Sequence, residues 1–173
     1  EIEAAQKAVT EALGNDNRVA AAVAIVEPGT GYVSALAQNR EFGQDDGQTE
    51  VIYATSRRQT GSAFKPFTLA AAFEAGISPH ERWSSSATYR PTRVDSPRGG
   101  FTNHLGRGYG IQDAYGATRV SSNTWFIRLI ERIGVRDVAE LAGRLGQGGV
   151  PQDLTGREAA ITLGAYDSSP LEM

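Results

Sequence analysis

The sequence predicts an α+β fold, on three observations: one β-hairpin near its start, a succession of helical hydrophobic patterns after it, and enough apolar residues for a proper core. The 173 residues are 40% hydrophobic and 21% charged, ordinary globular proportions that exclude disordered and fibrous classes. Two strands with one apolar face make a poor sheet by themselves, so further strands are expected to come from outside this chain.

Residues 1–13 place Ile2, Ala5, Val9, Ala12 and Leu13 at helical spacing, and Gly14-Asn15-Asp16-Asn17 ends the pattern. Residues 19–27 are an unbroken small-apolar and β-branched run, Pro28-Gly29-Thr30-Gly31 is dense turn chemistry, and a strand resumes over 32–37. This predicts a hairpin buried on at least one face. The turn lacks the Gly-Lys-Ser/Thr ending and following helix of a phosphate loop, so it is read as a turn. Residues 39–49 are polar and acidic and read as an exposed loop.

An apolar helix is expected over 67–75, ended by Gly76 with Pro79 beyond. Pro66 suits a first helical turn but discourages helical geometry at Lys65 just before it, so a tight or distorted start is expected near Ser62. Nearly every position of this helix is apolar or small, which predicts burial all round and a central place in the fold. Residues 78–110 carry Pro79, Pro91, Pro97 and scattered charges, and read as a long irregular segment. Within it Arg90, Arg93 and Arg98 form a basic patch, taken as a solvated loop rather than a cleft wall for an acidic ligand. Residues 111–118 read as a short helix. Trp125, Phe126, Leu129, Ile130 and Ile133 mark an amphipathic helix closed by Gly134, and 138–145 another closed by Gly146. The sequence has no internal repeat and no interdomain linker.

Several function classes drop out. Without cysteine there are no disulfides, thiolate zinc sites or cysteine nucleophiles. His80 and His104 lie in polar, Gly/Pro-rich surroundings with no H-E-x-x-H or G-x-S-x-G pattern, and read as loop histidines. No metal or cofactor is expected. A net charge of −3 gives no general pull toward nucleic acid, which is not expected as a partner. No run approaches the ~18 apolar residues of a membrane helix. Glu1 lies inside a helical pattern and Ser169-Pro170-Leu171-Glu172-Met173 opens rather than closes a helix, so the chain is expected to be a piece of something longer.

One stretch carries chemistry: Arg58-Gln59-Thr60-Gly61-Ser62-Ala63-Phe64-Lys65-Pro66-Phe67 sets a serine hydroxyl three residues ahead of a lysine at the mouth of a helix. A serine hydroxyl needs a neighbour to take its proton, and a lysine amine can do so only when neutral. Arginine supplies fixed charge almost everywhere else, since only Lys7 and Lys65 among 17 basic residues are lysines, which favours a removable proton at position 65. The competing reading is a helix-capping serine beside a solvated lysine. A capping box wants Glu or Gln in place of Lys65, and a lysine opposes the dipole of a helix N-terminus, so that account fits less well. On these residues alone both readings stay open.

Ser62-Ala63-Phe64-Lys65, followed downstream by Ser121-Ser122-Asn123, resembles the S-x-x-K and S-x-N motifs of the penicillin-binding, serine-acyl transferase superfamily. With the flanks of both motifs, Thr162-Leu163-Gly164 and the tail 169–173, the likeness spans nearly the whole chain and is to the transpeptidase domain of class A (bifunctional) penicillin-binding proteins. The resemblance implies a penicillin-binding/serine β-lactamase-like transpeptidase fold, a helical subdomain plus the first strands of an antiparallel sheet. It implies a D,D-transpeptidase in which Ser62 attacks the carbonyl between the two terminal D-alanines of a peptidoglycan stem peptide. Lys65 then accepts its proton, Ser121 relays a proton to the leaving amine, and Asn123 orients substrate and lysine. One oxyanion donor would be the backbone N–H of Ser62. A second stem would resolve the acyl-enzyme into a cross-link, and β-lactams would acylate Ser62. The implied location is the extracytoplasmic face of a bacterial membrane, anchored by a segment not present here.

The family's third motif, Lys-Thr/Ser-Gly on a strand beside the serine, is absent, because Lys7 precedes Ala8 and Lys65 precedes Pro66. Residues 1–173 are therefore expected to form an incomplete transpeptidase domain, with a companion chain carrying that strand and the rest of the sheet. A β-lactamase-like hydrolase is the less favoured alternative, since Ser-Asp-Asn and a Glu-x-x-Leu-Asn loop are missing. A β-lactam-sensing binding module, which acylates once and signals, remains an alternative. Trp125 and Tyr166 are read as core aromatics rather than cleft residues.

Overall fold

Small apolar residues let the first helix lie directly on the hairpin. In the computed structural model, which describes residues 1–13, 19–151 and 153–173, the chain divides into two units, Glu1–Arg58 with Ser168–Met173 and Gln59–Asp167. The first unit holds α1 (Ile2–Leu13), β1 (Ala22–Val26) and β2 (Val33–Gln38), the strands pairing antiparallel with an irregularity between Ile25 and Val26. Ala5 and Val9, one helical turn apart, pack on Ala35 and Ala37, two apart on one face of β2. Leu36, between them on the opposite face of β2, is exposed, as is Val33 at the start of the strand. Thus the predicted helix and hairpin form, with one covered face. The turn uses positive φ at Gly29 and Gly31, and Thr30 Oγ1 donates to Glu27 Oε2 at 2.7 Å. The predicted stop at Gly14-Asn15-Asp16-Asn17 lies outside the described residues.

The last residues of the chain belong to this same unit. Leu171 N donates to Ala54 O at 3.0 Å, and the Arg57 guanidinium grips the Glu172 carboxylate, Nε to Oε2 at 3.1 Å and Nη2 to Oε1 at 2.5 Å. That guanidinium, with hydrogen bonds from Ser169, draws the Glu172 carboxyl down to about 2.

β3 (Arg58–Gln59) leads into the second unit and β8 (Asp167–Ser168) leads out of it. A 3-10 turn, Gly61–Phe64, opens α2 (Lys65–Glu74). Next come β4 (Trp83–Ser85), β5 (Thr88–Tyr89), β6 (Phe101–Thr102), β7 (Gly110–Gln112), α3 (Ala114–Arg119), α4 (Asn123–Ile133), α5 (Val135–Arg144) and a 3-10 turn at Ala159–Leu163.

Four sequence expectations are corrected here. Residues 78–110 are not simply irregular: β5 pairs β6 inside an outer ribbon of β4 and β7, both antiparallel. Strands of two or three residues are too short to display alternation, so their pattern was invisible. Residues 111–118 are not one helix, because β7 takes Gly110–Gln112 and Asp113 then caps α3, its side chain accepting from Gly116 N at 2.8 Å. Lys65 is helical, φ −55° and ψ −34°, despite preceding Pro66, while the tight start expected near Ser62 is there, as the 3-10 turn Gly61–Phe64. Finally, α2 is not buried all round, since Phe73 is 45% exposed and Glu74 and Pro66 face solvent. Its alanines fitted either environment.

The buried helix is α4. Trp125, Phe126, Ile127, Leu129 and Ile130 are each at most 2% exposed, surrounded by α2, α5 and the Ala159–Leu163 turn. Gly134, at φ 106°, lets the chain reverse sharply into α5, whose Val135, Val138 and Ala142 complete the core. Two contacts close the unit around α2. Thr68 Oγ1 and Thr162 Oγ1 share a buried hydrogen bond of 2.7 Å. Gly164, at φ 75°, brings its Cα against the backbone of Gly61, where a Cβ would fall 2.2 Å from the Gly61 N and O. Gly164→Ala should therefore destabilise the protein by about 3 kcal/mol or more, from backbone overlap and strained φ together. Urea unfolding measures this; an unchanged midpoint would show that the two backbones separate freely.

Candidate functional site

The local helix type aligns Ser62 with Lys65. A 3-10 turn has three residues per turn, so side chains at i and i+3 eclipse, and Lys65 Nζ donates to Ser62 Oγ at 3.0 Å. Ser62 is exposed, whereas Lys65 is 3% exposed, its stem held in the core with Phe64 and Phe67 buried on either side in sequence.

The third member comes from the junction of α3 and α4. α3 ends with Ser121 N donating to Thr118 O at 3.0 Å and Ser122 N to Ala117 O at 2.9 Å, the paired bonds of a Schellman stop. That stop requires a left-handed residue, and Ser121 supplies it at φ 51°, where glycine is the usual occupant. The geometry turns both Ser121 oxygens to the lysine: Nζ donates to Ser121 O at 2.7 Å and to Oγ at 2.9 Å. Ser122, next in line, is the N-cap of α4, its Oγ accepting from Trp125 N at 3.2 Å. Asn123, the first residue of α4, accepts from Lys65 Nζ on Oδ1 at 2.9 Å and donates from Nδ2 to Thr102 O at 3.0 Å. That second bond fixes which end of the carboxamide faces the amine.

Lys65 Nζ thus meets four oxygens, with the Phe126 ring centroid 5.2 Å away. An ammonium has three N–H groups, too few for four acceptors. A neutral amine donates to the two groups that can only accept, Ser121 O and Asn123 Oδ1, and leaves its lone pair to a serine hydroxyl. Burial lowers the Lys65 pKa to about 8. A minor neutral population, about a tenth of the amine at pH 7, follows, and in that form the amine can take a proton from an adjacent hydroxyl.

All four residues singled out in the sequence, Ser62, Lys65, Ser121 and Asn123, therefore converge on one amine. Others keep out of it. Trp125 is core, stacked on Trp83 at 5.2 Å with its indole N–H donating to Gln112 O at 3.0 Å. Tyr166 is a half-buried neighbour of the main core. His80, His104, Arg90, Arg93 and Arg98 are exposed. No cluster suited to a metal ion occurs among the described residues. Sequence reasoning missed Asn103, Thr102 and Phe126 as parts of the surroundings. Asn103 carries no motif, Thr102 acts through its carbonyl, and Phe126 was visible only as a core position.

A Ser–Lys–Ser–Asn cluster carried on the ends of packed helices thus sets an exposed hydroxyl beside a buried amine. A family model described as the penicillin-binding protein transpeptidase domain matches residues 21–169, and the chain belongs to that family. Penicillin-binding protein 1A of Mycobacterium tuberculosis is 32% identical over 98% of this chain, which spans 21% of that relative. The solved structure of the penicillin-binding protein PonA1 from Mycobacterium tuberculosis is similar with a TM-score of 0.79 and 29% identity, over 99% of this chain and 44% of that one. PonA1 in complex with penicillin V matches equally, at 0.79 and 27% identity, over 99% of this chain and 46% of that one. This chain thus spans about a fifth of the length of the curated relative it matches. The fold is α+β, helices with short antiparallel strands, as expected. Among the described residues no helix is long and apolar enough to cross a membrane.

The serine at the left-handed position yields a separable prediction. Ser121→Gly should raise stability by about 1 kcal/mol, by relieving αL strain, while removing a hydroxyl from the lysine. Denaturant unfolding together with a penicillin-acylation assay reads both effects; a destabilised protein would contradict the strain, and undiminished acylation would contradict a role for the hydroxyl.

Proposed function

We propose that this chain carries the nucleophile and proton-transfer groups of a D,D-transpeptidase that cross-links peptidoglycan stem peptides through an acyl-enzyme. The supporting observation is the buried Lys65 amine 3.0 Å from the exposed Ser62 hydroxyl, with burial favouring its neutral form. Ser62 Oγ attacks the carbonyl carbon between the terminal D-alanines as its proton passes to Lys65 Nζ. The tetrahedral intermediate collapses with cleavage of the C–N bond, and a proton returns through Ser121 Oγ, 2.9 Å from the lysine, to the departing D-alanine amine. Asn123 holds the lysine and offers its amide side to substrate. The amine of a second stem then attacks the Ser62 ester and releases the cross-linked product.

The backbone N–H of Ser62, at the head of the turn leading into α2, is one proposed oxyanion donor. A β-lactam would acylate Ser62 by opening its ring. In this reading a companion segment brings the Lys-Thr/Ser-Gly strand and completes the domain begun in residues 1–173, which acts at the extracytoplasmic face of a bacterial membrane.

Intact-protein mass spectrometry with a labelled penicillin tests the reading. One adduct is expected on the peptide bearing Ser62, and none in Ser62→Ala; an adduct that persists in that variant rejects the nucleophile. Lys65→Arg keeps the charge but cannot give up its proton, so acylation should fall by about 100-fold or more. Full acylation in that variant would reject the base. Cross-linked product from a stem-peptide substrate separates the transferase from a sensor or hydrolase.

The pH dependence follows from the same amine. The lowered Lys65 pKa means that the neutral base is scarce below about 8 and dominant above it. The acylation rate of the folded protein should therefore rise with pH through a midpoint near 8 and then level off. A rate flat across that interval would exclude Lys65 as the titrating group.

A further inference from the structure

Asn103 follows β6 and is 3% exposed, with every hydrogen-bonding position of its carboxamide in use. Nδ2 donates to Ser86 O at 3.0 Å and to Arg107 O at 2.9 Å. Oδ1 accepts from Thr124 N at 3.0 Å and from Ser122 Oγ at 3.2 Å. Ser122 and Thr124 are the two residues flanking Asn123, and the Asn123 carboxamide itself donates to the carbonyl of Thr102, the residue before Asn103. One buried amide thus holds both sides of Asn123 and the strand end that receives its side chain. Ser85 Oγ, hydrogen-bonded to Ser122 Oγ, and Ser86 O, which accepts from Thr124 Oγ1 at 2.8 Å, bring the β4 end into the same knot.

We propose that Asn103 is a positioning residue: it sets the Asn123 carboxamide, and through it closes the pocket around the Lys65 amine, without touching the reacting atoms. Its consequence for rate rests on the acyl-transfer reading above; its consequence for the lysine pocket does not. Ser62 faces the amine from the 3-10 turn, Ser121 from the α3–α4 junction, and Asn123 and Phe126 from α4, all uncharged. Losing the Asn103 bonds frees the start of α4 and the Thr102 carbonyl, and water reaches Nζ.

The full chain, with 13C-labelled lysine, carries two labelled side chains, Lys7 and Lys65, and the Lys65 signal is assigned by its loss in Lys65→Arg. In Asn103→Ala, checked for folding by circular dichroism, the Lys65 midpoint is expected to rise from about 8 toward the ordinary lysine range. Acylation by labelled penicillin should fall by about 100-fold, as misplacement of catalytic groups costs. An unmoved Lys65 titration overturns the proposal whatever the rate does. A moved titration in a protein whose wild type takes no penicillin even with the segment bearing the Lys-Thr/Ser-Gly strand upholds the positioning role and rejects the acyl-transfer reading. Should Asn103→Ala not fold, Asn103→Ser gives the same two readouts, and failure of both to fold makes Asn103 purely structural and overturns the inference.

Discussion

Everything around the candidate site depends on keeping one lysine amine out of water. A charged ammonium is costly to bury, so a lysine at this depth is tolerable only if its hydrogen bonds are satisfied and its proton can leave. The surroundings of Lys65 meet both conditions with neutral groups: two hydroxyls, a backbone carbonyl, a carboxamide oxygen and an aromatic ring. A carboxylate in their place would have held the ammonium charged and raised the pKa that burial lowers. Asn123 and Phe126 stand three apart on the first turn of α4, so one helix face supplies both the polar partner and the apolar wall.

Helix ends deliver these groups because helix ends are where backbone geometry is sharply specified. Three consecutive residues do three jobs. Ser121 stops α3 in the left-handed conformation, Ser122 caps α4, and Asn123 is the first residue inside it. The strain at Ser121 persists because the surrounding bonds over-determine it, and its result is a serine with two oxygens aimed at one amine. Opposite, Pro66 and the 3-10 turn fix the start of α2, and the Gly61–Gly164 backbone contact locks that turn from behind. The Ser62 hydroxyl is therefore held by backbone constraints rather than by long side chains, which limits positional error.

The similarity to penicillin-binding protein 1A and PonA1 covers almost all of this chain but only a part of each relative. Within that part the unit Gln59–Asp167 contains the whole Ser–Lys–Ser–Asn cluster with its own cores. Ser62, Lys65, Ser121 and Asn123 thus share one unit.

By itself the sequence determined the first helix and hairpin, the two amphipathic helices ended by Gly134 and Gly146, and the pairing of Ser62 with Lys65. Each is a local matter of periodicity, turn residues or spacing, readable within a few residues. Motif likeness, rather than local physics, joined Ser121 and Asn123 to that pair. Only the tertiary structure decided the burial of Lys65, since depth is a property of what packs on a residue. It also decided that α4 rather than α2 is the buried helix, because alanine and phenylalanine in α2 suit core and surface alike. Asn103 was least legible of all: besides nearby residue 107 its bonds reach residues 86, 122 and 124, and no short window of sequence records a carboxamide that closes on partners so far along the chain.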